Sequence, residues 1–129
     1  MIVVDSSAVV AISFAEPDAA AFSAVLAKPD RFAISAGTYL ECSIVLLSRF
    51  GSITDFDRWL TDRSIEVVSV DQRMAQIAAD AFVRFGKGRH PAGLNFGDCF
   101  SYALAKRLNA PLLFKGNDFS KTDVASALP

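Results

Sequence analysis

Four short runs, Ile2–Val4, Phe32–Ser35, Ile65–Val70 and Leu112–Phe114, are apolar almost throughout, and the stretches between them are long enough to hold one or more helices. A strand that is apolar on both faces must be covered on both, and only a long crossover returns the chain in the same direction. The runs therefore call for a parallel sheet between two helical layers. The expected fold is a three-layer α/β/α sandwich with a central parallel sheet. At 129 residues the chain suits one such domain, with a core that needs no disulfide or structural metal.

The intervening stretches carry helix signals. Ser6-Ser7 is read as the cap of a helix to about Phe14, and Glu16-Pro17-Asp18 as its end and the start of a second, with Pro17 in the first helical position. A helix from Thr38 to about Phe50 sets Leu40, Ile44 and Leu47 on one apolar line and stops at Gly51. Thr54 or Asp55 opens a helix through Phe56, Trp59 and Leu60, and Asp71 caps another to about Phe85. Gly86–Gly93 reads as a flexible loop. Asn95 then caps a helix with Asp98 in its first turn and an apolar flank of Phe96, Cys99, Phe100, Ala103 and Leu104. Asn109 and Pro111 end it, and Gly116-Asn117-Asp118 leads into a short polar helical tail.

Composition narrows the class. With 52% hydrophobic residues and eleven Phe, the chain has more apolar surface than one core needs, which points to an interface with another chain. Trp59, Leu60 and Phe56, or the face near Ile44 to Leu47, are the candidates for it. Cys42 and Cys99 sit among apolar neighbours and read as buried free thiols; with a single His, no zinc spacing exists. No leader segment and no apolar run of membrane length is seen, so a cytoplasmic protein is expected. A net charge of −1 excludes a generic polyanion binder, but cations gather locally at Arg84, Lys87, Arg89 and His90, at Lys106 and Arg107, and at Lys115 and Lys121.

In a parallel sheet the site lies beyond the carboxyl ends of the strands. Asp5 ends the first strand, Glu41 opens the helix after the second, Asp98 opens the helix that feeds the last, and Asp118 follows the last. Each has an ordinary reading alone: Asp5, Asp98 and Asp118 as helix caps, Glu41 as a solvated helix acid. Together they pose an electrostatic problem, because two unit charges about 4 Å apart repel by roughly 4 kcal/mol at an effective dielectric near 20. A divalent cation is the economical offset. All-oxygen ligation favours one or two magnesium or manganese ions, and such a site can activate water for attack on a phosphodiester. Asp5 and Asp98 are cast as direct ligands. Glu41 and Asp118 either ligate a second ion or hold metal-bound waters.

The segments VVDSSAVVAI with EPDA close behind, ISAGTYLECSIVL and GLNFGDCFSYALAKRLNAPLLFKGNDFSKTDV resemble PIN-domain proteins over nearly the whole chain. Among these the likeness is to the VapC-type ribonuclease toxins of prokaryotic toxin–antitoxin pairs. The resemblance implies magnesium- or manganese-dependent RNA cleavage, a homodimer, and inhibition by a cognate VapB-type antitoxin whose tail crosses the active-site groove. DNA would be reached only through the antitoxin. By position, the family's acidic quartet falls on Asp5, Glu41, Asp98 and Asp118. Many members carry another acid or a hydroxyl in the turn after the last strand, where this chain has Phe114, Lys115, Gly116 and Asn117. Asn117 is thus a candidate to share the role of Asp118. The resemblance also makes Ser6 or Ser7 a support for the first acid, although capping explains a serine there equally.

Arg84, Lys87, Arg89 and Lys115 are the candidates for RNA phosphate contact. His90, before a proline in the same loop, reads as a surface residue, and no base-stacking platform is evident. Two rival readings have specific signals. A phosphoacceptor receiver domain would use Val70-Asp71 and Lys115, but it needs an acidic pair where this chain has Asp5-Ser6-Ser7. A catalytically silent partner in an antitoxin–repressor complex would not require the full quartet.

Overall fold

The computed structural model describes all 129 residues. Strands β1 (Ile2–Val4), β2 (Phe32–Ser35), β3 (Ile65–Val68) and β4 (Leu112–Leu113) form one sheet in the order β3-β2-β1-β4, and every neighbouring pair is parallel. Helices α1 (Ser6–Ser13), α2 (Ala19–Leu26), α3 (Ala36–Phe50), α4 (Thr54–Asp62), α5 (Gln72–Phe85) and α6 (Phe96–Leu108) supply the crossovers. Alternation along the strands splits the core in two. Val4, Ile34 and Leu113 pack with Ala8, Val9, Phe22, Leu46, Phe56 and Leu60 of α1–α4. Val3, Ala33 and Leu112 pack with Met74, Ala78, Tyr102, Ala103 and Leu104 of α5 and α6. The chain is thus the expected α/β/α sandwich, and the central pair β2 and β1 is wholly buried.

Several local expectations are corrected. Asp5, not the serines, is the cap of α1, its side chain accepting from Ser7 N. Pro17 precedes α2 rather than opening it, since Asp18 occupies the cap position and the helix starts at Ala19. Helix α3 begins two residues early, at Ala36, because the Ser35 hydroxyl accepts from Gly37 N. Its apolar line Leu40, Ile44, Leu47 faces outward with Phe50, while Thr38, Cys42, Ser43 and Leu46 face the core. Periodicity alone finds a stripe; it does not say whether this chain or another covers it.

Strand β3 ends at Val68 and is an edge strand with Glu66 and Val67 exposed. The segment Gly86–Gly93 is a closed loop, its base fastened by Lys87 N to Leu94 O and Leu94 N to Phe85 O, both 2.9 Å. The polar helical tail is only a turn of 3₁₀ helix, Phe119–Lys121, whose Phe119 is buried; beyond it Ser126 bridges back to Leu112. Phe96 is not part of the buried flank of α6 but is 79% exposed. Both cysteines are free and buried, as expected. No helix is long and apolar enough to cross a membrane.

Candidate active site

Helix α6 runs antiparallel to the strands it connects, which brings its N-terminus to the edge where β1 and β2 end. The Asn95 side chain accepts from Asp98 N at 2.9 Å and Asp98 Oδ2 accepts from Asn95 N at 3.0 Å, a reciprocal capping box that fixes the Asp98 carboxyl at the mouth of the helix. Capping leaves Asp98 Oδ1 without a hydrogen-bond partner in the fold. The ordinary reading of this acid is therefore correct and still compatible with a ligand role.

Asp5 is almost fully buried, 2% exposed. Its Oδ2 accepts from Ser7 N at 3.0 Å and from Ser7 Oγ at 2.6 Å, and its Oδ1 accepts from Ser101 Oγ at 2.5 Å. Ser101 in turn lies 3.1 Å from the buried hydroxyl of Thr38. Two buried hydroxyls, one from α3 and one from α6, thus converge behind the first acid. Neither is visible in a linear scan, because only the packing of α3 on α6 shows that the mid-helix Ser101 meets a carboxylate far away in sequence and that Thr38, in the first turn of α3, backs that serine. Ser101→Ala leaves Asp5 Oδ1 buried without its donor, so a loss of roughly 2–3 kcal/mol in urea unfolding is expected. A loss under about 0.5 kcal/mol, within the range of ordinary surface changes, would show that water replaces the hydroxyl.

Glu41 extends from α3 across the first turn of α6. A Cβ on Gly97 would overlap the Glu41 carboxylate, so the glycine makes the crossing possible. Glu41 Oε1 is buried and has no hydrogen-bond partner. Burial raises the pKa of Glu41, and the nearby Asp5 charge raises it further, while the Ser6 hydroxyl favours the charged form. Burial is also the largest cause pushing Asp98 up to about 6; the bond from Asn95 opposes it, and the charges of Asp5, Asp118 and Glu41 add to it. Asp118 precedes the 3₁₀ turn with its carboxylate exposed and unused as a cap. Asn117, also exposed, contributes only its carbonyl, which accepts from Ser120 Oγ.

All four acids are thus electrostatic neighbours, and none forms an ion pair with any lysine or arginine. As the side chains stand, no three are gathered closely enough to hold one ion directly. The donor set nonetheless suits a hard cation that keeps several waters: carboxylate oxygens only, with one of them, Glu41 Oε1, buried and unpartnered.

The cations divide. Arg84 belongs to α5 rather than to the loop, and it pairs with Asp123 at 3.4 Å while lying over the Phe85 ring at 4.7 Å. Lys115 is bound to Glu16 and Asp18. Lys87 and Arg89 alone of the four are exposed without a carboxylate partner. His90 folds inward, its Nδ1 accepting from Ala92 N at 3.0 Å and its ring meeting Phe85 edge-on. Asp71, the acid a receiver domain would phosphorylate, caps α5 and pairs with Arg107.

A family model described as PIN domain matches residues 2–125. A Mycolicibacterium smegmatis protein named Ribonuclease VapC is 50% identical over 126 residues, which cover 96% of this chain and 98% of that one. Ribonuclease VapC30 of Mycobacterium tuberculosis is 46% identical over 130 residues, 98% and 99% of the two chains. Among solved structures, Mycobacterium tuberculosis VapC20, described as a Sarcin-Ricin loop cleaving toxin, superposes with a TM-score of 0.79 at 21% identity over 100% of both chains. A toxin–antitoxin complex from Klebsiella pneumoniae gives 0.76 at 16% identity over 98% of each. At those identities the two structures speak to the fold alone. Full-length identity near one half, on a sheet edge lined by unpaired acids, is decisive: the chain belongs to the PIN-domain family and, within it, to the VapC ribonucleases.

Proposed function

We propose that this chain is a magnesium- or manganese-dependent endoribonuclease, a cytoplasmic toxin restrained by a VapB-type antitoxin and working as a homodimer. The observation that carries the reading is the set of four carboxylates from four separate segments, in which Asp5, Glu41 and Asp118 all bear on the charge of Asp98 and none has a compensating cation. The names of the relatives supply the substrate class. Asp5 and Asp98 would hold an ion, with Glu41 and Asp118 binding a second or orienting its waters. A bound divalent ion supplies an acidified water and neutralises charge on the scissile phosphate.

The chain's own residues do the rest. Ser7 and Ser101 fix both oxygens of Asp5, so this acid is oriented before any substrate arrives. The capping box fixes Asp98 in the same sense. Lys87 and Arg89, exposed on the loop that leads into α6 and free of carboxylate partners, are the cations that would meet the phosphates of a bound strand. The groove bordered by Ile12, Phe50 and Trp59 is the apolar surface we assign to partner contact; Phe56 and Leu60, named with Trp59 from the sequence, are buried in the core beneath it and offer no surface to a partner.

The test is cleavage of total cellular RNA by protein freed of any partner, with Mg²⁺, with Mn²⁺ and with chelator, beside Asp5→Asn. Discrete cuts that require metal and fall at least about a hundredfold in the variant are expected, the usual scale for losing a directly acting group. Mapping the ends would then name the RNA. Equal cutting by the variant would mean contamination, and no cutting by either would favour a silent binding role.

A further inference from the structure

The sequence groups Lys115 with cations open to RNA, yet the structure holds it at both ends. Its Nζ lies 2.8 Å from Glu16 Oε1 and 3.3 Å from Asp18 Oδ1, the two acids of the turn between α1 and α2. Asp18 Oδ1 is buried and has no hydrogen-bond partner, so the lysine charge is what offsets it. The backbone N–H of Lys115 donates to Ser7 Oγ at 2.9 Å, and Ser7 Oγ itself donates to Asp5 Oδ2 at 2.6 Å. Lys115 is therefore tied to the same helix start that carries the first acid. After it comes Gly116 at φ 95°, a left-handed turn that a glycine adopts without strain, and then Asn117 and Asp118.

Asp118 has no fastening of its own, since its carboxylate makes no cap bond and no ion pair. We propose that Lys115 is a positioning residue: its ion pair with Glu16 and Asp18 sets the turn that presents Asp118 to Asp5, Glu41 and Asp98. The consequence for cleavage rests on the ribonuclease reading above; the consequence for ion binding does not. Lys115 on this account is engaged by its own chain's acids at the surface and does not contact phosphate.

Charge and position make opposite predictions, which gives the test its edge. Deleting a cation near a carboxylate cluster strengthens binding of a divalent ion, and deleting an anion weakens it. By charge alone Lys115→Met and Glu16→Gln should change Mn²⁺ affinity in opposite directions. A positioning role moves both the same way. Calorimetric titration with Mn²⁺ in the absence of RNA is expected to show roughly threefold to tenfold weaker binding in each variant, and the double variant no worse than either single. Cleavage kinetics should show kcat down about tenfold with KM within twofold, the pattern of a misplaced reacting group rather than of weakened substrate binding. Lys115→Arg should recover most of both, and thermal melts would confirm that each variant is folded.

Tighter Mn²⁺ binding in Lys115→Met would overturn the proposal. So would a raised KM with a shallower salt dependence, which would make Lys115 a phosphate contact. Unchanged binding and kinetics in both variants would overturn it equally. If the wild-type protein cuts no RNA, the ribonuclease reading fails while the Mn²⁺ titration still decides the positioning role.

Discussion

Gly97→Ala is expected to abolish most activity and to destabilise the fold, although in an isolated helix the same change would help. Alanine is favoured over glycine inside a helix by about 1 kcal/mol. Here a Cβ would overlap the Glu41 carboxylate, lying 2.7 Å from its Cδ, so either Glu41 moves or α6 shifts. Overpacking of this kind typically costs about 1–3 kcal/mol, enough to outweigh the helix gain. A carboxylate displaced by an ångström costs roughly a hundredfold in rate where geometry is pre-set. The decisive arm is the background: in Glu41→Ala the obstacle is gone, so Gly97→Ala should there become neutral or stabilising by about 0.5–1 kcal/mol while activity stays lost. Urea unfolding of the four proteins reads the sign change directly. If Gly97→Ala destabilises equally in both backgrounds, the glycine serves the backbone and not the carboxylate.

That packing of glycine on carboxylate marks the border of what the sequence discloses. The layers are legible because β1, β2 and the helix caps obey local rules: apolar runs, Asp71 and Asn95 as caps, Gly51 at φ 77° as a stop. The four acids are legible because a parallel sheet sends all of them to one edge. Gly97 looks in sequence like a mild flaw in a helix, and Ser101 like a tolerated polar residue; each acquires its meaning only when α3 packs on α6. The outward face of α3 misleads for a related reason. Leu40, Ile44 and Leu47 have the spacing of a core stripe, but the sheet takes the adjacent face, with Cys42 and Leu46. Lys115 and Arg84 look like free cations in sequence because ion pairing across many tens of residues leaves no local trace.

Asp98→Asn is expected to remove cleavage and, in metal-free protein at neutral pH, to raise stability. Its carboxyl, ordinarily near 3.8, is pushed up to about 6, chiefly by burial and further by Asp5, Asp118 and Glu41. The folded state therefore holds this proton more tightly than the unfolded chain. Its contribution favours folding below about pH 4, is lost as pH rises through about 6, and leaves a charged, crowded group above that. The displacement would correspond to at most about 3 kcal/mol, and solvent at this partly open position screens it to roughly 1–2 kcal/mol. Glu41, also raised, adds in the same direction. Asparagine keeps an oxygen for Asn95 N but has no charge to titrate, so melts in chelator should show the variant above wild type by several degrees at pH 7.5 and level with it at pH 4. Saturating Mg²⁺ should reverse the neutral-pH order, since an ion bound at about a hundred times its Kd adds about 2.7 kcal/mol to wild type alone. If the variant is instead less stable than wild type at both pH values and in chelator, Asp98 is chiefly a helix cap, and the burden of the ion falls on Asp5 and Glu41.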